Sequence, residues 1–134
     1  MPDELKIHIY PGDCDSAGHV NHAVMLTLLE RARWAALEKR LSFADYISRA
    51  QWAVVRHVEA TYSLPARPGD DFIIQTGLFA LGNTSFTVKQ VSRNQRGDTV
   101  CEAKIVYVTL GKDGRPMPVP EEWREIFPPW EDRQ

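Results

Sequence analysis

The order of apolar and polar residues changes character twice along the chain. Over residues 5–10, Leu5, Ile7 and Ile9 alternate with Lys6, His8 and Tyr10, which is the period of a half-buried β-strand. Pro11-Gly12-Asp13 ends that pattern. From about residue 21 to residue 41 the chain contains no Gly or Pro and is rich in Ala, Leu, Met, Glu, Arg and Lys, which predicts one long helix. Its first half is apolar on nearly every side, since Ala23, Val24, Met25, Leu26, Leu28 and Leu29 cannot share one face. Such a helix has to be wrapped by other structure. Glu30, Arg31, Arg33, Glu38, Lys39 and Arg40 gather later and take the second half toward solvent. After the helix the pattern reads as strands over residues 52–62, 71–80, 84–93 and 99–110, with turns at Pro65 to Gly69, Leu81-Gly82-Asn83 and Asn94 to Asp98. The prolines at 116, 118 and 120 keep the tail extended, and Glu121 to Phe127 reads as a short helix stopped by Pro128 and Pro129. Trp123, Phe127 and Trp130 are expected to pin this tail to the sheet.

One helix and about five strands joined by short loops make an α+β domain, an antiparallel sheet covering a helix. No second long helix is present to cover the other face of the sheet. Open edges and a half-covered surface favour pairing with another copy.

At 134 residues the chain fits one domain, residues 1–134. Sixteen Lys and Arg against eighteen Asp and Glu leave a net charge of -2, which argues against a nucleic-acid partner. No apolar run approaches the ~20 residues of a membrane span, so no membrane partner is expected. The first residues, Met1 to Lys6, begin acidic and lack the order of a signal peptide. Cys14 and Cys101 are too few for a disulfide scaffold. The expectation is a cytoplasmic protein.

Polar chemistry is concentrated between the first strand and the helix, in Asp13-Cys14-Asp15-Ser16-Ala17-Gly18-His19-Val20-Asn21-His22. Two carboxylates and two imidazoles stand there beside a helix N-terminus, whose free N–H groups attract negative charge, including the oxyanion formed when a carbonyl is attacked. The two His and two Asp could suggest a metal site, but no third ligand is patterned elsewhere, and no metal is expected.

This segment resembles the signature of the hotdog-fold acyl-CoA thioesterases, the 4-hydroxybenzoyl-CoA thioesterase-like family, in which Asp-x-Asp-x-x-Gly-x-Val leads into a helix carrying Glu-x-Ala-Arg. The counterparts here are Asp13 to Val20 and Glu30-Arg31-Ala32-Arg33. Pro65-Ala66-Arg67-Pro68-Gly69-Asp70 and Gly82-Asn83-Thr84-Ser85 are similar to that family's linker and third-hairpin patterns. The resemblance implies a hotdog fold, a five-stranded antiparallel sheet wrapped around the central helix, assembled as a homodimer or homotetramer with substrate between subunits. It implies a catalytic carboxylate at Asp15 and a carbonyl-polarising backbone amide near His22. Gly18, His19, Val20, Asn21 and Met25, with Thr84 and Ser85 from the partner chain, would meet the substrate. Two departures stand out: His22 replaces an Asn, and Met25 replaces a Tyr that would shape the acyl pocket. A benzoyl preference therefore does not carry over.

The chemistry agrees with the resemblance. A thioester expels a thiol with a pKa of about 8.5, so an ionised carboxylate and an oxyanion donor suffice and no cofactor is required. Asp15 could act as base or as nucleophile. Three activities stay open: hydrolysis of acyl-CoA or an acyl carrier protein thioester, dehydration or hydration of an acyl thioester, and binding without catalysis. Asp15 also suits an Asx-turn, while Asp13 is expected to hold the loop. Glu30 lies eight residues past His22, about 12 Å along the helix, too far to share a carbonyl with it. A salt bridge to Arg33 is its expected role. Arg56, Arg67, Lys89, Arg93 and Arg96 are the candidates for the cofactor phosphates.

Overall fold

The computed structural model describes residues 2–48 and 52–132. Strand β1 (Asp3–His8) leads through a 3-10 turn (Pro11–Asp13) and a polar loop into helix α1 (His22–Glu38). A short helix α2 (Phe43–Ser48) precedes strands β2 (Trp52–Tyr62), β3 (Asp71–Leu81), β4 (Ser85–Arg93) and β5 (Thr99–Leu110), and the tail forms a 3-10 turn at Glu121–Glu125. The five strands form one sheet in the order β1-β3-β4-β5-β2, every pair antiparallel. This is the α+β arrangement expected from the residue pattern, with α1 against one face of the sheet.

The start of α1 is fixed by Asn21, whose side-chain oxygen accepts the Ala23 N–H at 2.9 Å. The helix buries Met25, Leu28, Leu29, Ala32, Arg33, Ala36 and Leu37, a stripe at three- and four-residue spacing. Facing it are Phe72, Ile74 and Thr76 of β3, Phe86, Val88 and Gln90 of β4, and Cys101, Ala103 and Ile105 of β5, all buried. Within this chain the sheet wraps the helix from one side. Ala23 is exposed, and Val24 and Leu26 are half-buried, because a single sheet layer covers only one face. Arg33 also departs from expectation. It turns inward, donating from Nε to the Tyr107 hydroxyl at 2.6 Å and from Nη1 to Gln90 at 2.9 Å, and no Glu30–Arg33 ion pair forms among the described residues.

Two further differences concern boundaries. The helix ends at Glu38, three residues before the expected position, and the chain turns back into α2, which the pattern does not suggest. Ser42 accepts the Asp45 N–H at 3.1 Å, so Ser42-Phe43-Ala44-Asp45 is the serine-and-acid spacing of a helix start. In β2 the expected alternation of buried and exposed residues is absent: most of the strand is exposed, because it forms one edge of the sheet with only β5 beside it.

The tail closes the other edge. Leu78 N–H donates to the Pro128 carbonyl and Trp130 N–H to the Leu78 carbonyl, both at 2.7 Å, so the tail runs beside β3 beyond the end of β1. Gly77 permits this, since a Cβ there would stand 3.0 Å from the Trp130 Cα. Trp123, Ile126 and Phe127 are buried, and Trp130 lies over Lys89 at 5.1 Å. Among the described residues no helix is long and apolar enough to cross a membrane.

Candidate active site

The loop between β1 and α1 is built by its own polar side chains. Asp13 Oδ2 accepts the Tyr10 N–H at 3.0 Å and closes the 3-10 turn, the structural role expected of it. Cys14 and Val20 then pair as an isolated antiparallel bridge. Between them Asp15 N–H donates to the His19 carbonyl at 2.9 Å and Gly18 N–H to the Asp15 carbonyl at 3.0 Å. Gly18 holds a φ of 77°, the left-handed conformation that closes this turn without a Cβ penalty. Val20 N–H donates to the Ala66 carbonyl at 2.8 Å, tying the loop to the linker that begins at Pro65.

Within this turn one carboxylate oxygen of Asp15 is committed and the other is free. Oδ1 accepts the Ala17 N–H at 2.9 Å and the His19 N–H at 3.4 Å, an Asx-turn. Oδ2 has no hydrogen-bond partner among the described residues. The start of α1 is similarly divided. Ala23 N–H is taken by the Asn21 cap, whereas the His22 and Val24 N–H groups meet no acceptor among the described residues. A helix N-terminus with open amides therefore stands beside a carboxylate with an open oxygen.

Both belong to one cleft of about 340 Å³, lined by Asp15, His19, Val20, Asn21, His22 and Met25 on one side and by Tyr62 to Ala66 on the other. Of the expected residues, the structure brings Asp15, His19, Val20, Asn21, His22 and Met25 together there; Gly18 shapes the turn. Thr84 and Ser85 are not brought in. Ser85 pairs with Val108, which pairs with Val54, whereas Tyr62 pairs with Cys101, which pairs with Ser92. Seven residues of strand thus separate them from the cleft, roughly 23 Å. Among the described residues no group of three His, Cys, Asp or Glu side chains converges as a metal-ligand set.

Tyr62 is the residue that pattern reading misses. Its hydroxyl donates to the His22 carbonyl at 3.0 Å, and its ring meets the His22 imidazole edge-on with centroids 6.4 Å apart. The last residue of β2 therefore fixes the first turn of α1. Burial raises the Tyr62 phenol above its ordinary range, with a smaller effect from Cys101, so it stays a proton donor at neutral pH. The signal that could have found it is positional: Tyr62 stands three residues before the Pro65-Ala66-Arg67 motif.

The candidate phosphate contacts divide. Lys89 is engaged by Glu102 at 3.2 Å and Asp132 at 3.8 Å. Arg93 is engaged by Gln75 at 3.4 Å and Thr99 at 3.0 Å. Arg56 and Arg67 are exposed.

Residues 9–127 match the family model of the thioesterase-like superfamily. The chain is 32% identical over 111 residues to the long-chain acyl-CoA thioesterase FadM of Escherichia coli K12, covering 82% of this chain and 83% of that one. It is 30% identical over 105 residues to the acyl-CoA thioester hydrolase YbgC of Escherichia coli O6:H1, covering 78% of each. Among solved structures, YbaW, a probable thioesterase from Escherichia coli, superimposes with a TM-score of 0.83 at 30% identity, over 92% of this chain and 94% of that one. A thioesterase from Thermus thermophilus, complexed with coenzyme A and Zn, gives 0.78 at 30% identity, over 91% and 94%. A sheet of this order around one long helix, with a family match over most of its length, makes the chain a hotdog-fold member of the thioesterase-like superfamily.

Proposed function

We propose that the protein hydrolyses acyl-CoA thioesters to a free acid and a thiol in the cleft between the Asp15 loop and the first turn of α1. The observation that carries this reading is that Asp15 Oδ2 and the His22 N–H, both without a hydrogen-bond partner among the described residues, share one cleft. The thioester carbonyl oxygen accepts the His22 N–H, and the positive end of α1 stabilises the charge that grows on that oxygen during attack. Asp15 Oδ2 takes a proton from water as the water oxygen bonds to the carbonyl carbon. When the C–S bond breaks, the proton passes to the departing sulfur. Because the thiol has a pKa of about 8.5, that departure needs no stronger acid. Direct attack by Asp15 would begin from the same oxygen and yield an anhydride that water then opens. His19 and Met25 border the cleft and bear on the substrate, and Gly18, Val20 and Asn21 hold the surrounding backbone.

The same reading includes a homodimer joined through β2. Ala53, Val55, Val58, Ala60 and Tyr62 lie on the helix-facing side of that edge strand, by their pairing with inward residues of β5. Yet Val55, Val58 and Tyr62 remain 45%, 42% and 45% exposed. Antiparallel pairing of two β2 strands about their centres would set the Trp52 end of one chain beside the partner's Tyr62. Thr84 and Ser85, at the Trp52 end, would then approach the partner's cleft. Two unbridged cysteines support a reducing compartment, the cytoplasm.

The test is thiol release from a panel of acyl-CoA and acyl carrier protein thioesters of increasing chain length. Turnover of the coenzyme A esters supports the reading. Disappearance of an enoyl ester without thiol release would move the protein to hydration chemistry, and tight binding with no turnover would make it a carrier.

A further inference from the structure

The tail divides into two parts at Phe127. Up to that point it is built into the core, where Val119, Trp123, Ile126 and Phe127 are buried. Trp123 and Phe127 join Trp34, Phe86 and Tyr107 in the wall of an aromatic cavity of about 190 Å³ that reaches Ala53 of β2. From Pro128 to Asp132 no residue is buried, and the chain lies along β3 as a strap.

Where β1 stops decides where the strap sits. β1 pairs with β3 from Asp71 to Thr76, so it leaves the outer edge of β3 uncovered from Gly77 onward. Leu78 gives both its backbone groups to the strap, the N–H to the Pro128 carbonyl and its own carbonyl to the Trp130 N–H. Lys89 clamps the arrangement from the side. Its Nζ stands 5.1 Å from the centroid of Trp130 and 3.8 Å from Asp132, and Trp130 Nε1 donates to Asp132 at 3.0 Å.

The edge under the strap is apolar in sequence. From Phe72 to Val88 no residue is charged and none is proline, and Phe79 and Leu81 are 46% and 40% exposed. High β-propensity without charge or proline marks a segment that pairs with its own kind. β1 covers the first part of it with a strand that carries Asp3, Glu4 and Lys6. The strap covers the next part with Pro128 and Pro129, which have no N–H to offer a further strand. Both coverings replace an apolar edge by one that resists extension.

We propose that the β3 edge from Gly77 to Leu81 is a latent pairing surface for a second copy of this chain, closed in cis by residues 128–132. The segment itself selects that occupant. Laid antiparallel to its own copy, it brings no like charges together and covers exposed Phe79 and Leu81. Strap and second copy need the same Leu78 groups, so only one of them sits there at a time. With β2 and β3 edges both open, pairing at each would alternate into an open chain of copies. The strap leaves β2 as the edge through which the sheet extends.

Light scattering tests this on the full chain, on a chain ending at Phe127 and on full-length Gly77→Val. The shortened chain keeps every buried residue of the tail and is expected to fold. Gly77→Val removes nothing but puts a Cβ 3.0 Å from the Trp130 Cα and 3.1 Å from the Pro128 carbonyl oxygen, which evicts the strap. The full chain should hold one mass at every concentration, and both variants should add multiples of it that grow with concentration. In the shortened chain Phe79→Glu, at an exposed position, should abolish the multiples by setting two carboxylates against each other. Circular dichroism confirms each fold, and Gly77→Val carries the test if the shortened chain unfolds. A folded strap-free variant that keeps the parent mass at every concentration overturns the proposal. Multiples that persist with Phe79→Glu overturn it as well, because the contact then lies elsewhere. Neither result bears on thiol release, so the thioesterase reading stands or falls separately.

Discussion

Replacing Asp15 by Asn separates, in one substitution, the turn contacts of this residue from the catalytic role proposed for it. The structure gives Oδ1 two backbone donors, Ala17 N–H at 2.9 Å and His19 N–H at 3.4 Å, and gives Oδ2 no hydrogen-bond partner among the described residues. Asparagine keeps an oxygen where Oδ1 stands and places an amide nitrogen at the free position, so the Asx-turn survives. Thermal stability should therefore stay within about 0.5 kcal/mol of the parent, as for a surface change that breaks nothing. What is lost is a negative charge and a proton acceptor at the open position. A positioned general base is worth about 10²–10⁴ in rate, which is about 2.7–5.4 kcal/mol of barrier. Asp15→Ala is the complementary change: it loses the same acceptor and also the turn, adding about 1 kcal/mol of destabilisation. The assay is thiol release at saturating acyl-CoA, run beside a melting curve for each variant. A catalytic Asp15 gives two variants equally inactive and unequally stable. An Asn variant within about threefold of the parent, beside a destabilised Ala variant, would reduce Asp15 to a loop-holding residue and refute the mechanism.

Other substitutions probe the surroundings of that carboxylate. Tyr62→Phe removes the bond to the His22 carbonyl and should lower kcat about three- to tenfold with little change in KM, since the turn still forms but is held less firmly. Equal effects on kcat and KM would assign Tyr62 to substrate binding instead. Val58→Lys places a charge on the exposed apolar face of β2 and should give monomers by light scattering, with activity falling in step; an active monomer would refute a shared site. Gln90→Leu strips partners from Arg33 Nη1, the Leu29 carbonyl and Thr76 and should cost about 3 kcal/mol, read as a Tm lower by about 10 °C. For the thiols, burial pushes Cys101 up to about 11, with a contribution from Glu102. Burial and then the Asp13, Asp15 and Asp70 carboxylates raise Cys14. Raised thiol pKa values leave less thiolate at pH 8, so the native protein should react slowly with a disulfide reagent, at Cys14 before Cys101, and both should react fast once unfolded.

The parts of the fold that the sequence displays are those set by local spacing. The four long strands follow from β-branched and aromatic runs between Gly- and Pro-rich turns, and α1 from twenty-one residues without either breaker. The loop chemistry is legible for the same reason: the residues of the Asp15 turn are neighbours in the chain. What cannot be read depends on which faces meet. Arg33 looks like a solvent residue by its charge, and only the register of β4 and β5 brings Gln90 and Tyr107 beneath it. Tyr62 looks like the last residue of a strand, and its hydroxyl matters because a linker folds it against the start of a helix forty residues away in the chain. Helix α2 escapes notice because six residues carry too little period to be seen, although Ser42 and Asp45 mark its start.

The least covered part of the molecule is also the part that joins its two cavities. A bulge at Arg56 lets both Val55 and Val58 face the helix side of β2, since Val55 pairs with Tyr107 and Val58 with Ile105. An edge strand that faces water normally carries charge or proline to discourage pairing. This one carries the exposed Arg56 and Glu59, yet it also presents Val55 and Val58 to solvent on its helix side, while its Tyr62 end closes the polar cleft and its Ala53 end borders the aromatic cavity. Within one chain the polar cleft lies at the Tyr62 end of β2 and the aromatic cavity at its Ala53 end. Antiparallel pairing of two copies would remove the exposed apolar surface and set each polar cleft beside the other chain's aromatic cavity. Stability and activity would then both depend on the same eleven-residue strand, which is why a single lysine at Val58 is expected to cost both at once.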